Sequence, residues 1–466
     1  MSAPVQIKFG TDGWRAVIGD DFTYESLRRV ADATGRVFSA RKPGGRLFVG
    51  YDTRFEAGSF AAAAAEVLAS HGLEVVLSDA YMPTPALCWS VARDENAVGG
   101  VMITASHNPA RYSGFKIRMA DGGASPVAFT DEVERALLDE APADRGAFET
   151  ADFMTAYLDS LKAMVDAEAI AAANLRVVVD SLYGAGQNYL ADTMRELGVD
   201  AHEIHHERNP WFGGLHPEPI PPHTDALRDS VTCAERDAGF VTDGDADRVG
   251  AVDERGVFVN PHRIMCLLIM HLAEDKGYTG RIVKTISTSV LVDRLGVALG
   301  LPVTTTPVGF KWVYEQMLAG DVLIGGEESG GIGFPPHVRE RDGLLMALFL
   351  VEMMARRGRT LGQLVGDLFE ITGPMEYLRV DMGVDPETKA SFLRRAATLE
   401  PREVAGLSVR GIARDDGLKL LLPDDAWLLL RPSGTEPLVR VYAEASSAGV
   451  VDDLLAAGKD IVSGKA

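Results

Sequence analysis

The chain has 466 residues, of which 46% are hydrophobic and 24% charged; that excludes a disordered scaffold and leaves room for several cores, about three domains by length alone. With 46 Lys and Arg against 67 Asp and Glu, the formal charge of −21 excludes general attraction to nucleic acid or to an anionic membrane surface, though not a local cationic site for a phosphorylated small molecule. Cys88, Cys233 and Cys266, odd in number and widely spaced, read as buried reduced thiols of a cytoplasmic protein rather than a disulfide framework or zinc site. The N-terminus has no basic-then-apolar signal pattern, and Leu344 to Val351, an apolar run in the C-terminal half, is far too short to cross a membrane.

Apolar strand-like runs alternate with helical patterns through most of the chain. Leu47 to Tyr51 precedes a helical segment around Ala61 to Ala65, and Glu74 to Leu77 follows it, which is βαβ grammar. A further apolar run from Val98 leads into Ile103-Thr104-Ala105-Ser106-His107-Asn108-Pro109-Ala110. The same succession restarts at Leu175 to Asp180, where Tyr183 to Gly186 reads as a helix opening, and again at Arg281 to Thr285. Polar, Pro/Gly-punctuated Glu140 to Gly146 sets one boundary near residue 150; others are placed at Arg255-Gly256 and at Thr372-Gly373-Pro374, after a helix from Leu344 to Arg357. The last 90 or so residues, with runs at Tyr377, Lys419, Trp427 and Leu438 and a closing helix from about Gly449, read as a mostly antiparallel sheet. The expected fold class is therefore α/β, three similar mixed-sheet α/β domains (1–150, 151–256, 257–373) followed by a smaller α+β domain (374–466).

Four polar clusters carry chemistry. Ser106 beside His107, just before Asn-Pro, reads either as a helix cap or turn or as the attachment point of a phosphoryl group. Asp243, Asp245 and Asp247 at i, i+2 and i+4 put their carboxylates on one side of an extended or gently curved segment, where they repel unless a cation lies between them. Hard oxygen ligands suit Mg²⁺; a calcium loop would need glycine where Arg248 stands, and a solvated acidic loop is the other alternative. Arg248 directly after the last aspartate either neutralises them or grips a phosphoryl group in transfer. Gly326 to Gly331 offers Glu327 and Ser329 for sugar hydroxyls, or is a solvated turn. Arg431-Pro432-Ser433-Gly434-Thr435 at a strand end offers a guanidinium, two hydroxyls and backbone N–H groups, a phosphate cradle to which Arg440 could return, or an ordinary hairpin turn.

These four segments, in this order over nearly the whole chain, resemble the α-D-phosphohexomutase superfamily of phosphoglucomutases and phosphomannomutases. Phe9 to Arg15, Tyr51-Asp52-Thr53-Arg54 and Asn209 to Gly214 support the resemblance. It implies four domains around one cleft, with the fourth closing on the substrate's phosphate. It further implies that Ser106 is phosphorylated in the active enzyme and that one phosphoserine oxygen joins Asp243, Asp245 and Asp247 on Mg²⁺. A phosphorylated hexose would exchange its phosphate through a hexose 1,6-bisphosphate, converting glucose 1-phosphate to glucose 6-phosphate. Lys116, ten residues after the serine, is implied as the general base, with a pKa lowered by Mg²⁺ and arginines, or as a phosphate contact. Arg15, His107 and Arg248 would orient the phosphoryl group.

For sugar identity, the segment Thr306-Pro307-Val308-Gly309-Phe310-Lys311-Trp312 resembles a loop of glucose-directed members, and His337 to Gly343 resembles a phosphoglucomutase segment. Thr306, Gly309, Lys311, Glu327, Ser329 and Arg341 are the implied sugar contacts. Arg341 stands where those enzymes often carry lysine, and Gly331 where glucosamine and bifunctional mannose enzymes often carry histidine. Phosphomannomutase, or a bifunctional mutase, is the alternative enzyme; a sugar-phosphate sensor that has lost transfer is the non-enzyme alternative. The remaining expectations are a monomer or homodimer, with no nucleic-acid or membrane partner.

Overall fold

The computed structural model describes residues 5–141, 143–434 and 437–465. Its contacts divide the chain into two compact units, one formed by residues up to 283 together with 310–366, the other by 284–309 and 367–466.

The first unit contains two complete sheets. One has six strands, and its interior pairs Arg46–Tyr51 in parallel with both Glu74–Ser78 and Ala97–Ile103. Ala97–Ile103 then turns back into Tyr112–Met119, which pairs antiparallel with it and with Trp14–Val17. At the opposite edge the short strand Glu149–Ala151 runs parallel to Glu74–Ser78, so residues beyond 148 still complete this sheet. The Ala-rich segment forms the helix Ala57–Ala69, packed on Tyr24–Arg41, whose N-terminus carries a Thr23–Ser26 capping box. Small alanine side chains let these helices approach closely over the buried strand residues Leu47, Val49, Val101 and Ile103.

The second sheet repeats the plan. Arg176–Asp180 pairs in parallel with Asp200–Ile204 and Ala238–Thr242, and Ala238–Thr242 turns back antiparallel into Val249–Asp253. The strand Phe258–Val259 closes its edge. A third instance of the turn-back joins Val322–Gly326 to Ile332–Gly333, followed by the buried helix Gly343–Arg357. These are mixed sheets in a repeated α/β arrangement, as the alternation of patterns predicts.

Two local expectations fail. No helix opens at Tyr183: Leu182, Tyr183 and Asn188 have positive φ values of 45°, 57° and 66°, incompatible with a right-handed helix, and the helix begins only at Tyr189. Cys88 and Cys266 are buried, but Cys233 is exposed. Leu227 and Val231 set the buried face of helix Asp225–Cys233, and a residue two positions after Val231 lies about 200° round the axis, on the solvent side.

The second unit is built on a five-stranded, wholly antiparallel sheet: Glu376–Gly383, Leu438–Ala445, Trp427–Pro432, Leu418–Leu421 and Gly411–Ala413, in spatial order. The helix Ala448–Ser463 covers one face through Val451, Leu454, Leu455 and Val462. Segment 284–309 belongs to this unit because Ile286 packs against Trp427, Leu429 and Tyr442, while Lys419 Nζ donates to the Ile286 carbonyl at 2.6 Å. No helix among the described residues is long and apolar enough to cross a membrane.

Candidate active site

The three turn-backs of the first unit each end in a polar loop: 104–111, 243–248 and 327–331. Each lies beyond the C-terminal end of a buried strand, where open α/β sheets place their ligand sites. The loops are stitched together. Val249 N donates to the Gly330 carbonyl at 3.1 Å, and Arg248 and Gly331 form a β-bridge. Ser106 Oγ donates to Asp243 Oδ2 at 3.0 Å. Gly244 is required at this junction, because a Cβ there would stand 2.3 Å from the Ser106 carbonyl oxygen.

Asp243, Asp245 and Asp247 are fully buried, and one carboxylate oxygen from each lies within 4.8 Å of the others. The segment that brings them together is tighter than the extended or gently curved run expected: a six-residue turn between strands paired at Thr242 and Val249, with Ala246 at φ 56°. Asp245 Oδ1 and both Asp247 oxygens lack an aligned hydrogen-bond donor. Burial followed by repulsion from Asp247 and Asp245 pushes Asp243 well above the usual carboxylate range. Buried, mutually repelling oxygens without donors fit a divalent cation, and an all-oxygen set suits a hard ion such as Mg²⁺.

Cations ring this cluster. Lys116 Nζ stands 2.8 Å from Asp245, 2.9 Å from Asp12 and 3.5 Å from Asp247. Arg341 pairs with Asp247 at 2.9 Å and Asp12 at 2.7 Å, and its Nε donates to Glu340 at 3.0 Å. Arg248 lies 3.8 to 3.9 Å from Asp247 and Asp243. The lowered pKa expected for Lys116 belongs to a site that holds Mg²⁺; the chain's own carboxylates act in the opposite direction. Burial lowers the Lys116 pKa, but Asp12, Asp245 and Asp247 outweigh burial and hold it above the ordinary lysine value. His107 moves the other way: burial first, then Arg248 and Arg15, push it well below the usual histidine range, leaving a neutral ring whose Nδ1 is 3.3 Å from Ser106 Oγ. Arg15 reaches Asn108 Oδ1 at 2.6 Å, one end of the serine loop. Glu327 is buried and pushed up to about 7, chiefly by desolvation that Arg341 only partly offsets; Ser329 is half-buried. Lys311 lies over the Trp312 ring, 4.8 Å from its centroid.

Three participants were missed from sequence. Asp12, in the quoted Phe9 to Arg15 segment, joins Lys116, Arg118 and Arg341. Thr84 Oγ1 donates to Asp245 Oδ2 at 2.6 Å. Glu340 sits between Arg118 and Arg341. The motifs around Asp12 and Glu340 were visible, though not these residues' roles; Thr84 carries no local signal, because its partner Asp245 is far away in the chain.

In the second unit, Arg431 and Arg440 are direct partners on neighbouring antiparallel strands, and Arg440 is also opposite Asp381. Arg431 Nε donates to Asp416 at 2.8 Å, and Ser433 is buried, with its N–H on the Leu438 carbonyl. Like charges directly across a ladder are unfavourable unless an anion joins them. Gly434 is exposed; Thr435 lies outside the described residues. Thr306 donates to the Pro307 carbonyl at 3.1 Å, and Gly309 has φ 128°.

Sequence families described as phosphoglucomutase/phosphomannomutase, alpha/beta/alpha domains I, II and III, match residues 6–144, 155–256 and 260–371, and the C-terminal domain of the same proteins matches 393–459. The chain belongs to the α-D-phosphohexomutase superfamily. A phosphoglucomutase/phosphomannomutase of Thermococcus kodakarensis is 32% identical, with 94% of each chain covered. A phosphoglucosamine mutase of Frankia alni is 32% identical over 96% of this chain and 95% of its own. A crystal structure of a candidate phosphomannomutase from Thermus thermophilus superposes with a TM-score of 0.89 at 40% identity, covering 98% of this chain and 99% of that one. The protein is thus a phosphohexomutase, an intramolecular phosphotransferase. Three α/β domains and a C-terminal domain agree with the fold class read from the sequence.

Proposed function

We propose that this phosphohexomutase interconverts glucose 1-phosphate and glucose 6-phosphate through a phosphorylated Ser106 and a hexose 1,6-bisphosphate. The observation that carries the reading is Ser106 Oγ hydrogen-bonded at 3.0 Å to one of three buried, clustered aspartates. A hydroxyl in that place, once phosphorylated, puts a phosphoryl oxygen beside the carboxylates.

Asp243, Asp245 and Asp247 would hold Mg²⁺, which supplies neutralisation of charge on the transferring group. The chain's own residues do the rest. Arg248 and Arg15 orient the phosphoryl group, and Ser106 releases it as the Oγ–P bond breaks and a bond to the sugar hydroxyl forms. The hydroxyl proton leaves to a base, for which Lys116 is the proposed group; the carboxylates around it hold it protonated on their own, and it would give up that proton when a divalent cation offsets their charge. His107 is the neutral neighbour of Ser106 Oγ. The Ser106 oxygen takes a proton when no phosphoryl group occupies it. After the bisphosphate reverses, its other phosphate returns to Ser106 by the same steps backward.

The distal phosphate would be held by Arg431, Ser433, Gly434, Thr435 and Arg440, for which the facing arginines are the support. Glu327, Ser329, Arg341, Thr306, Gly309 and Lys311 are the proposed sugar contacts. Glucose is preferred on the Thr306 to Trp312 and His337 to Gly343 segments and on Gly331. Mannose is the second reading, favoured by the Thermus neighbour at 40% identity. A coupled assay with Mg²⁺ and a trace of hexose 1,6-bisphosphate, comparing kcat/KM for glucose, mannose and glucosamine 1-phosphates, tests this. Equal or higher efficiency on mannose overturns the glucose assignment and leaves the phosphoserine chemistry standing.

A further inference from the structure

Arg54 takes no part in the steps above, yet it is the most completely bonded side chain near Ser106. It is fully buried, and all five guanidinium N–H groups have acceptors. Nη2 donates to the carbonyls of Ser106 at 2.6 Å and Asn108 at 2.7 Å; Nη1 donates to those of Pro109 at 3.0 Å and Tyr112 at 2.9 Å. Nε donates to Asp52 at 3.1 Å, and Asp52 also accepts from the Arg54 N–H at 2.9 Å, fixing the side chain at its root. The Phe212 ring lies against the guanidinium, 4.9 Å from its carbon to the ring centroid.

Four carbonyls of one loop therefore converge on a single cation. That loop needs holding, because Ser106 has φ 52°, a left-handed conformation that a non-glycine residue keeps only when its surroundings over-determine it. The Ser106 carbonyl is also the group against which Gly244 of the aspartate loop packs. Holding this peptide thus sets the serine and the carboxylate loop relative to one another.

We propose that Arg54 is a positioning residue for phosphoryl transfer, clamping the backbone of 106–112 so that Ser106 Oγ stays on Asp243. The proposal rests on Ser106 being the phosphoryl carrier, but its geometric half is testable without that. A lysine at 54 keeps the charge but cannot span four carbonyls, so Arg54→Lys is the discriminating variant.

The experiment has two arms. Hydrogen exchange of the wild type should show the Asn108 and Tyr112 amides, bonded within the loop to Ala105 and Pro109 carbonyls, exchanging as slowly as the flanking strands. In Arg54→Lys the loop should exchange at least about tenfold faster while those strands hold. Single-turnover phosphorylation of Ser106 by glucose 1,6-bisphosphate should fall on the order of 10²-fold, with the affinity for glucose 6-phosphate changed less than about twofold. Fast exchange of the wild-type loop, or an Arg54→Lys transfer rate equal to wild type, overturns the clamp. So does a parallel loss of sugar-phosphate affinity and of protection throughout the domain, which would make Arg54 merely structural. Absence of Ser106 phosphorylation in the wild type would instead sink the assignment of Ser106 as carrier, and the exchange arm would still decide whether the loop is clamped.

Discussion

Each compact unit buries a carboxylate centre, and the two differ in how far the protein satisfies it. In the second unit Glu444 accepts from Ser289 Oγ, from Val290 N at 2.9 Å and from Trp427 Nε1 at 2.6 Å, so both oxygens are used. In the first, three aspartates crowd within 4.8 Å, and three of their oxygens have no aligned donor. A saturated buried carboxylate fixes a fold; an unsaturated cluster is kept in place by its loops because a ligand uses it. The lysines make the same contrast. Lys116, among three carboxylates, is held charged, whereas Lys419, over the Trp427 ring at 4.0 Å, is pushed down to about 7 by burial, with Lys284 adding to the shift.

The largest effect that tests this contrast is Ser106→Ala. Mutase turnover should fall by about 10⁴-fold or to background, while glucose 6-phosphate still binds, measured by calorimetry. Undiminished turnover would exclude Ser106 as carrier and return the aspartate cluster to a purely structural role.

Lys419 gives the corresponding test in the second unit. Its folded pKa of about 7 is below the ordinary lysine value, so between pH 7 and about 10 the unfolded chain binds the extra proton and stability rises with pH. Well below pH 7 both states are protonated and the cost of burying the charge is present in full. Wild-type stability relative to Lys419→Met should therefore climb with a slope that approaches about 1.4 kcal/mol per pH unit above pH 8, a rise of about 2 kcal/mol from pH 7 to 9. Denaturant unfolding of both proteins at the two pH values reads it; a difference that stays flat would mean that Lys419 remains charged.

Divalent cation should distinguish the two centres directly. Mg²⁺ at about a hundred times its dissociation constant stabilises a binding protein by about 2.7 kcal/mol. The melting temperature should rise on adding Mg²⁺, and Asp247→Asn should remove that rise. Glu444→Gln should lower the melting temperature yet leave the Mg²⁺ increment intact. An increment that survives Asp247→Asn would place the ion elsewhere.

What the sequence disclosed follows from range. Ser106, the Asp243 to Asp247 cluster and the alternation that builds repeated α/β sheets are local patterns. Thr84, the reach of Asp12 and the tie of Glu340 to Arg118 were not legible, since these partners are brought together from distant parts of the chain. The grouping of 284–309 with the C-terminal sheet was hidden in the same way: Ile286 and Val290 look like any loop residues until Lys419 and Glu444 supply their partners. For Lys116 the neighbouring arginines were legible, and the contact with Asp12 that opposes them was not.

The smallest effect concerns two departures that look independent in the sequence and are one contact in the structure. A Cβ at Gly331 would stand 2.4 Å from Cδ and 3.0 Å from Cγ of Arg341. Those atoms cannot swing aside freely, because the guanidinium is bound to Asp12, Asp247 and Glu340. Glycine at 331 and arginine at 341 therefore require each other: arginine's wide head is tied down on three carboxylates, and glycine leaves room for its stem. Gly331→Ala should lower kcat/KM about tenfold in the wild-type background. In an Arg341→Lys background, where a single ammonium replaces the three-way fork and the stem can shift, the same change should cost less, with a coupling of about 1 kcal/mol in the double-mutant cycle. Additive effects would separate the two positions, and the proposed preference for glucose would then have to be sought in each one alone.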